Sequence, residues 1–131
     1  MAIDGRLLHF MIHVGDIDRS IGFYTDVLGM RVLRRGEFPE EGRRNAFVGY
    51  GEEATTSVIE LTSWRDKPAY QHGTAFGHLA IGVADVAAAC AALRAAGARI
   101  VREPWTVPSG TVRVAFAEDP DGYQIELVQH L

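Results

Sequence analysis

Two histidines and two glutamates occupy matching places in a sequence that repeats itself. His9 opens the segment His9-Phe10-Met11-Ile12-His13-Val14-Gly15-Asp16, and His78 opens the similar segment His78-Leu79-Ala80-Ile81-Gly82-Val83-Ala84-Asp85. Glu60 is the centre of Ile59-Glu60-Leu61, and Glu126 is the centre of Ile125-Glu126-Leu127. Each glutamate follows its histidine at a similar distance, 51 residues in the first case and 48 in the second. Imidazole suits Zn, Ni and Fe, and carboxylates add hard oxygen donors. A symmetric set of two histidines and two carboxylates therefore predicts a metal site with His9, Glu60, His78 and Glu126 as ligands. The flanking isoleucines and leucines point to the opposite face of a strand, and a carboxylate turned inward needs a partner because an unpaired buried charge is costly. A single histidine or glutamate on a strand reads as a packed or solvated side chain; the matched quartet carries the metal reading. His13 shares a strand face with His9 by alternation, which makes it a candidate to line the same cavity without being a ligand. His72 and His130 read as solvated side chains.

The repeat also supplies the elements that position these residues. Both opening segments alternate as strands and end in an Asp, whose carboxylate can accept the free N–H groups of a helix's first turn. Ile17, Ile21, Tyr24 and Leu28 then form an apolar stripe at helical spacing, matched by Val86, Cys90 and Leu93. Gly29 and Gly97 follow as helix stops. The stripe places Cys90 on the apolar face as a buried small residue. Three strand-like runs follow each helix: 31–35, 45–50 and 57–62, then 98–102, 111–117 and 123–129. Asp119-Pro120-Asp121-Gly122 is a turn in which Pro presets φ and Gly accepts φ > 0. The fold class is α+β: two βαβββ modules, about 6–62 and 77–129, joined by a polar surface linker over 63–76 that contains Pro68 and Gly73. The modules are too small and too alike to be separate domains, so 1–131 reads as one.

The composition narrows the function classes. The chain has 131 residues, 47% of them hydrophobic, and a formal net charge of −4. That is enough apolar content for a core. The absence of a basic block argues against nucleic acid. No apolar run reaches the roughly 20 residues of a membrane span, and no signal peptide opens the chain. One cysteine excludes an intrachain disulfide and fits a reducing cytoplasm.

Several segments resemble a known family: Arg6-Leu7-Leu8-His9, Val14-Gly15-Asp16, Ser20 to Tyr24 with Leu28-Gly29-Met30, Ala46 to Gly51, Val58-Ile59-Glu60-Leu61, Phe76-Gly77-His78 and Glu118-Asp119-Pro120-Asp121-Gly122-Tyr123. They look like glyoxalase I (lactoylglutathione lyase) of the vicinal oxygen chelate superfamily, over nearly the whole chain and with all four metal positions filled. The resemblance implies a metal-bearing, cup-shaped sheet and a homodimer with shared active sites. His9 and Glu60 would come from one chain, His78 and Glu126 from the other. It implies a divalent metal, with nickel or cobalt favoured for a short member and zinc possible. It implies isomerisation of a 2-oxoaldehyde–thiol hemithioacetal to a 2-hydroxyacyl thioester through an enediolate. A divalent metal stabilises the enediolate as a Lewis acid without redox change. Glu126 is the first choice for general base and Glu60 its counterpart on the other face.

The sequence departs from the family where glutathione's carboxylates are usually held. The first-strand Arg reads His13, the Asn after the metal-binding strand reads Trp64, and the loop Lys reads Pro108. Arg35, Arg65, Arg99 and Arg113 are candidate replacements. Trp64, with His13, is a candidate for the substrate pocket, and Trp64 and Trp105 would make it more apolar; the plainer reading has both packing linker against sheet. Other readings use the same residues: another vicinal oxygen chelate enzyme, such as an epimerase or a lyase or cyclase on a non-glutathione metabolite, or a metal-free small-molecule-binding resistance protein. A ring-cleaving dioxygenase fits less well, because its 2-His-1-carboxylate site needs open positions that a second carboxylate would fill.

Overall fold

A computed structural model describes residues 1–131, which form two compact units, Met1–Tyr70 and Gln71–Leu131. Unit one runs β1 (His9–His13), α1 (Ile17–Gly22), a π-helical turn (Phe23–Val27), β2 (Arg31–Phe38), β3 (Arg43–Gly49) and β4 (Val58–Trp64). Unit two runs β5 (Leu79–Gly82), α2 (Val86–Ala95), β6 (Ile100–Thr106), β7 (Val112–Glu118) and β8 (Gln124–His130). Each unit is a four-stranded sheet, ordered β1-β4-β3-β2 and β5-β8-β7-β6. In each, the first strand pairs parallel with the last and the remaining pairs are antiparallel. This is the expected α+β arrangement of two βαβββ modules. None of its helices is long and apolar enough to cross a membrane.

The capping residues behave as their chemistry requires. Asp16 accepts from the Arg19 N–H and Asp85 from the Ala88 N–H, both at 3.1 Å. Gly29 and Gly97 hold φ of 78° and 82° beyond their helices, the left-handed region that a Cβ disfavours. Helix α1 lies on β3 and β4, and α2 lies on β6, β7 and β8. Leu61, Ala46 and Val48 are fully buried with Ile17 and Tyr24, and Leu127, Ala115 and Ile125 with Val86 and Cys90. A buried leucine such as Leu61 is worth about 2–5 kcal/mol against truncation to alanine. Core packing thus consumes one face of each strand and leaves its alternate face for other work.

Several expectations shift. The first helix departs from a pure 3.6-residue stripe, because a π-turn closed by the Leu28 N–H on the Phe23 carbonyl at 3.1 Å moves the phase. Phe23 is buried as a result, while Ile21 stays half-exposed. The opening strands stop at His13 and Gly82, short of their Asp caps. Ser63 and Trp64 extend β4 and do not begin a linker. Trp64 therefore faces Arg43 across the β3–β4 ladder, with the guanidinium 5.9 Å from its ring. His72 is not a free solvated side chain: its ring stacks on Tyr123 at 4.0 Å and 9°.

Candidate metal centre

The register of each sheet fixes which side chains share the face left free by the helices. In unit one, Glu60 lies opposite Phe47 on β3, and Thr62 lies opposite Asn45. On β1, His13 lies opposite Thr62. Alternation puts His9, Met11 and His13 on that side with Glu60 and Thr62. In unit two, Glu126 lies opposite Phe116, Val128 opposite Val114, and Phe116 opposite Arg102.

These registers bring each histidine to its own glutamate. His9 Nε2 is 3.3 Å from Glu60 Oε1, and His78 Nε2 is 3.5 Å from Glu126 Oε1. Two donors bound side by side on one ion at about 2.0–2.2 Å stand roughly 3 Å apart, so the spacing within each pair fits two ligands of a divalent cation. The chemistry fits as well: nitrogen and oxygen donors suit Ni, Co or Zn. The histidine side chains are 36% and 42% exposed, open for ligation, while the glutamates are more enclosed at 16% and 24%. Two donors do not complete a coordination sphere, and no cluster of three or more His, Cys, Asp or Glu side chains suited to a metal forms. Each unit therefore brings together one histidine and one glutamate.

The surroundings of the two pairs share one plan. His9 stands edge-on to Phe47 at 5.2 Å and 88°, and His78 edge-on to Phe116 at 5.3 Å and 77°. Such T-shaped contacts orient an imidazole while leaving its nitrogens free. The Arg34 guanidinium lies 3.6 Å over Phe47 and binds Glu53 at 2.9 and 3.1 Å. That pairing holds the Glu53 carboxyl below the ordinary carboxylate range, because Arg34 donates hydrogen bonds to its charged form. In unit two Trp105 stacks on Phe116 at 6.0 Å and 22°, and Arg102 lies 3.3 Å over Trp105.

Among the other candidates, His13 stacks on Tyr70 at 5.0 Å and 15°, on the Glu60 side of the sheet. Trp64 lines a cavity in unit one, about 420 Å³, together with Arg43, Arg44 and Arg65. Neither His9 nor Glu60 lines that space. A second cavity, about 320 Å³ and within unit two, is lined by His72, Phe76, His78 and Gln124. Arg99 pairs with Glu118 at 3.5 Å, Arg35 with Asp18 at 3.1 Å, and Arg65 donates to the Pro39 carbonyl at 2.8 Å.

Sequence reasoning missed Asn45, Thr62, Phe47, Phe116, Arg34 and Arg102. Phe47 and Phe116 could have been found by extending the repeat through the third strand of each module.

Comparison with known proteins agrees with this architecture. A probable lactoylglutathione lyase of Vibrio parahaemolyticus is 54% identical over 127 residues, covering 97% of this chain and 92% of the relative. Among solved structures, the Leishmania major glyoxalase I, described as trypanothione-dependent, superposes with a TM-score of 0.86 at 47% identity. That match covers 96% of this chain and 87% of the other. Glyoxalase I from Zea mays superposes with a TM-score of 0.91 at 44% identity, covering 95% of this chain but only 44% of the maize chain. A family profile matches residues 6–127. With its paired βαβββ units and a matching His–Glu pair in each, the chain belongs to the glyoxalase/bleomycin resistance protein/dioxygenase superfamily.

Proposed function

We propose that the protein is a metal-dependent lactoylglutathione lyase-type enzyme of the cytoplasm. It converts the hemithioacetal of a 2-oxoaldehyde and a thiol to a 2-hydroxyacyl thioester. The observation that carries this reading is the pair of half-sites, His9 with Glu60 and His78 with Glu126, each held at 3.3–3.5 Å on the same register of its sheet. The relatives named above support it. A bound divalent ion would supply Lewis-acid stabilisation of the anionic oxygens that develop on the substrate.

The chain's own residues would do the rest. His9, Glu60, His78 and Glu126 would hold the ion, with the two units working as one domain and each centre completed across two copies of the chain. Nickel or cobalt is the favoured metal and zinc is possible. Glu126 would take the proton from the carbon bearing sulfur and oxygen and return it to the neighbouring carbon. Phe47, Phe116 and Trp105 would keep water away from that transfer. A carboxylate in such an apolar place is a more effective base than one in water. His13 and Trp64 would contact the thiol part of the substrate.

The maize chain is more than twice as long as the part matched here, which supports a pair of such chains doing the work of one longer chain. So does an exposed apolar ribbon leading into and along edge strand β1: Leu7, Leu8, Phe10 and Met11 are 69%, 55%, 50% and 41% exposed. A second copy that covers the ribbon would remove this surface from water. Sedimentation should show a dimer; a stable folded monomer with full activity would refute the shared site. The decisive experiment is metal analysis of the purified protein followed by assay of methylglyoxal with glutathione and other thiols. Metal-dependent thioester formation with one of them is expected. A metal-loaded protein inert to every thiol would overturn the isomerase reading.

A further inference from the structure

Glu60 and Glu126 occupy equivalent registers, yet different groups hold them. Glu60 Oε2 accepts from Asn45 Nδ2 and from Thr62 Oγ1, each at 3.1 Å, while Oε1 faces His9. Thr62 is itself buried, at 3% exposure. The same two places in unit two are Val114 and Val128, opposite each other one step beyond the Phe116–Glu126 pair. Valine offers no donor, and His78 at 3.5 Å is the polar partner of Glu126. Unit one also makes room for its donor. Gly36 lies opposite Asn45 on β2, and a Cβ there would fall 2.4 Å from Asn45 Oδ1 and 2.7 Å from the Phe38 ring. The Asn45 amide can lie across the sheet toward Glu60 because position 36 has no side chain.

We propose that Asn45 and Thr62 are positioning residues that lock Glu60, with one oxygen committed to the protein and the other presented beside His9. The valines at 114 and 128 leave Glu126 free to turn. This rests on the metal-dependent isomerase reading and divides its labour: Glu60 is a fixed ligand, and Glu126 has the freedom that a proton carrier between two carbons needs. Hydrogen bonds to an ionised carboxylate are stronger than those between neutral groups. Residues that orient a ligand in this way typically change metal affinity about 10–100-fold when removed.

The test exchanges the two environments. Thr62→Val and Val128→Thr are close in shape, and Asn45→Ala removes the second donor. Cobalt affinity by chelator competition, the visible spectrum of bound cobalt, and turnover at saturating metal are measured for each. Asn45→Ala/Thr62→Val should bind cobalt about 10–100-fold more weakly with an altered spectrum, and lose less in turnover than in affinity. Val128→Thr should keep its cobalt affinity and lose about 10-fold or more in turnover, because a new hydroxyl would hold Glu126 as Thr62 holds Glu60. Gly36→Ala, which leaves both donors in the sequence but displaces Asn45, should weaken cobalt binding in the same direction. If the double variant does not fold, Gly36→Ala and Val128→Thr decide. Parental cobalt affinity and spectrum in the double variant or Gly36→Ala, or parental turnover in Val128→Thr, would overturn the proposal. Should the metal-loaded parent show no turnover with any thiol, the isomerase reading fails, and the affinities and spectra still judge the lock on Glu60.

Discussion

The two units place a histidine, a glutamate and a phenylalanine in nearly the same geometry and then surround them differently. Around His9 the outer contacts are ionic: Arg34 covers Phe47 and ends on Glu53. Around His78 they are aromatic: Phe116 meets Trp105, which lies beneath Arg102. Backbone register reproduces the His–Glu pairs, because a strand fixes where Cβ atoms point. It does not reproduce what the ligands lean on, because that depends on individual side chains two residues away or one strand over. A duplicated scaffold can therefore keep its His–Glu pairs while giving its two carboxylates different surroundings.

The largest expected effect lies at Glu126. Glu126→Gln keeps the size and one oxygen donor but cannot accept a proton. Turnover of the metal-loaded variant should fall about 10²–10⁴-fold, together with weaker metal binding. Near-parental turnover at saturating nickel or cobalt would move the base role to Glu60 and reverse the comparison.

A smaller difference separates the two phenylalanines. Phe47 is 4% exposed, whereas Phe116 is only half-buried. Phe47→Ala should cost about 3–5 kcal/mol in urea unfolding and Phe116→Ala distinctly less. Equal losses would show that the aromatic wall of unit two is packed as tightly as that of unit one.

The smallest effect concerns acid. The Glu53 carboxyl sits below its ordinary range because of Arg34. Its contribution is therefore present above the ordinary carboxylate range and is lost as pH falls through the lowered value. Both groups are at the surface, so the effect is screened by salt. Glu53→Gln should be slightly less stable than the parent near neutrality, and the two acid-unfolding curves should converge as pH drops. Arg102→Gln, which has no such partner to lose, should run parallel to the parent. A parallel curve for Glu53→Gln would remove the ionic distinction between the units.

The His–Glu pairs were legible in the sequence because the repeat aligned them and because alternation around Ile59-Glu60-Leu61 and Ile125-Glu126-Leu127 assigned their faces. The helix caps were legible from local chemistry alone. Asn45 and Thr62 were not, since each looks like an ordinary polar strand residue. Their meaning arises from the offset between β3 and β4 and from the empty space at Gly36, and neither is a local property. Strand β2 runs past the expected end at Arg35 to Phe38. An edge strand accommodates charge such as Glu37 and is often protected by it. The π-turn after α1 escaped a reading based on a fixed helical period.

Cys90 bears on a hazard of the proposed chemistry. A protein that handles 2-oxoaldehydes works among electrophiles that add readily to thiolates. Its one cysteine is 1% exposed on the buried face of α2, and burial pushes the thiol's pKa up. At neutral pH that sulfur is protonated and sealed from solvent. The enzyme thus offers its substrate no thiol of its own to compete with the co-substrate and leaves no cysteine adduct to accumulate with each turnover.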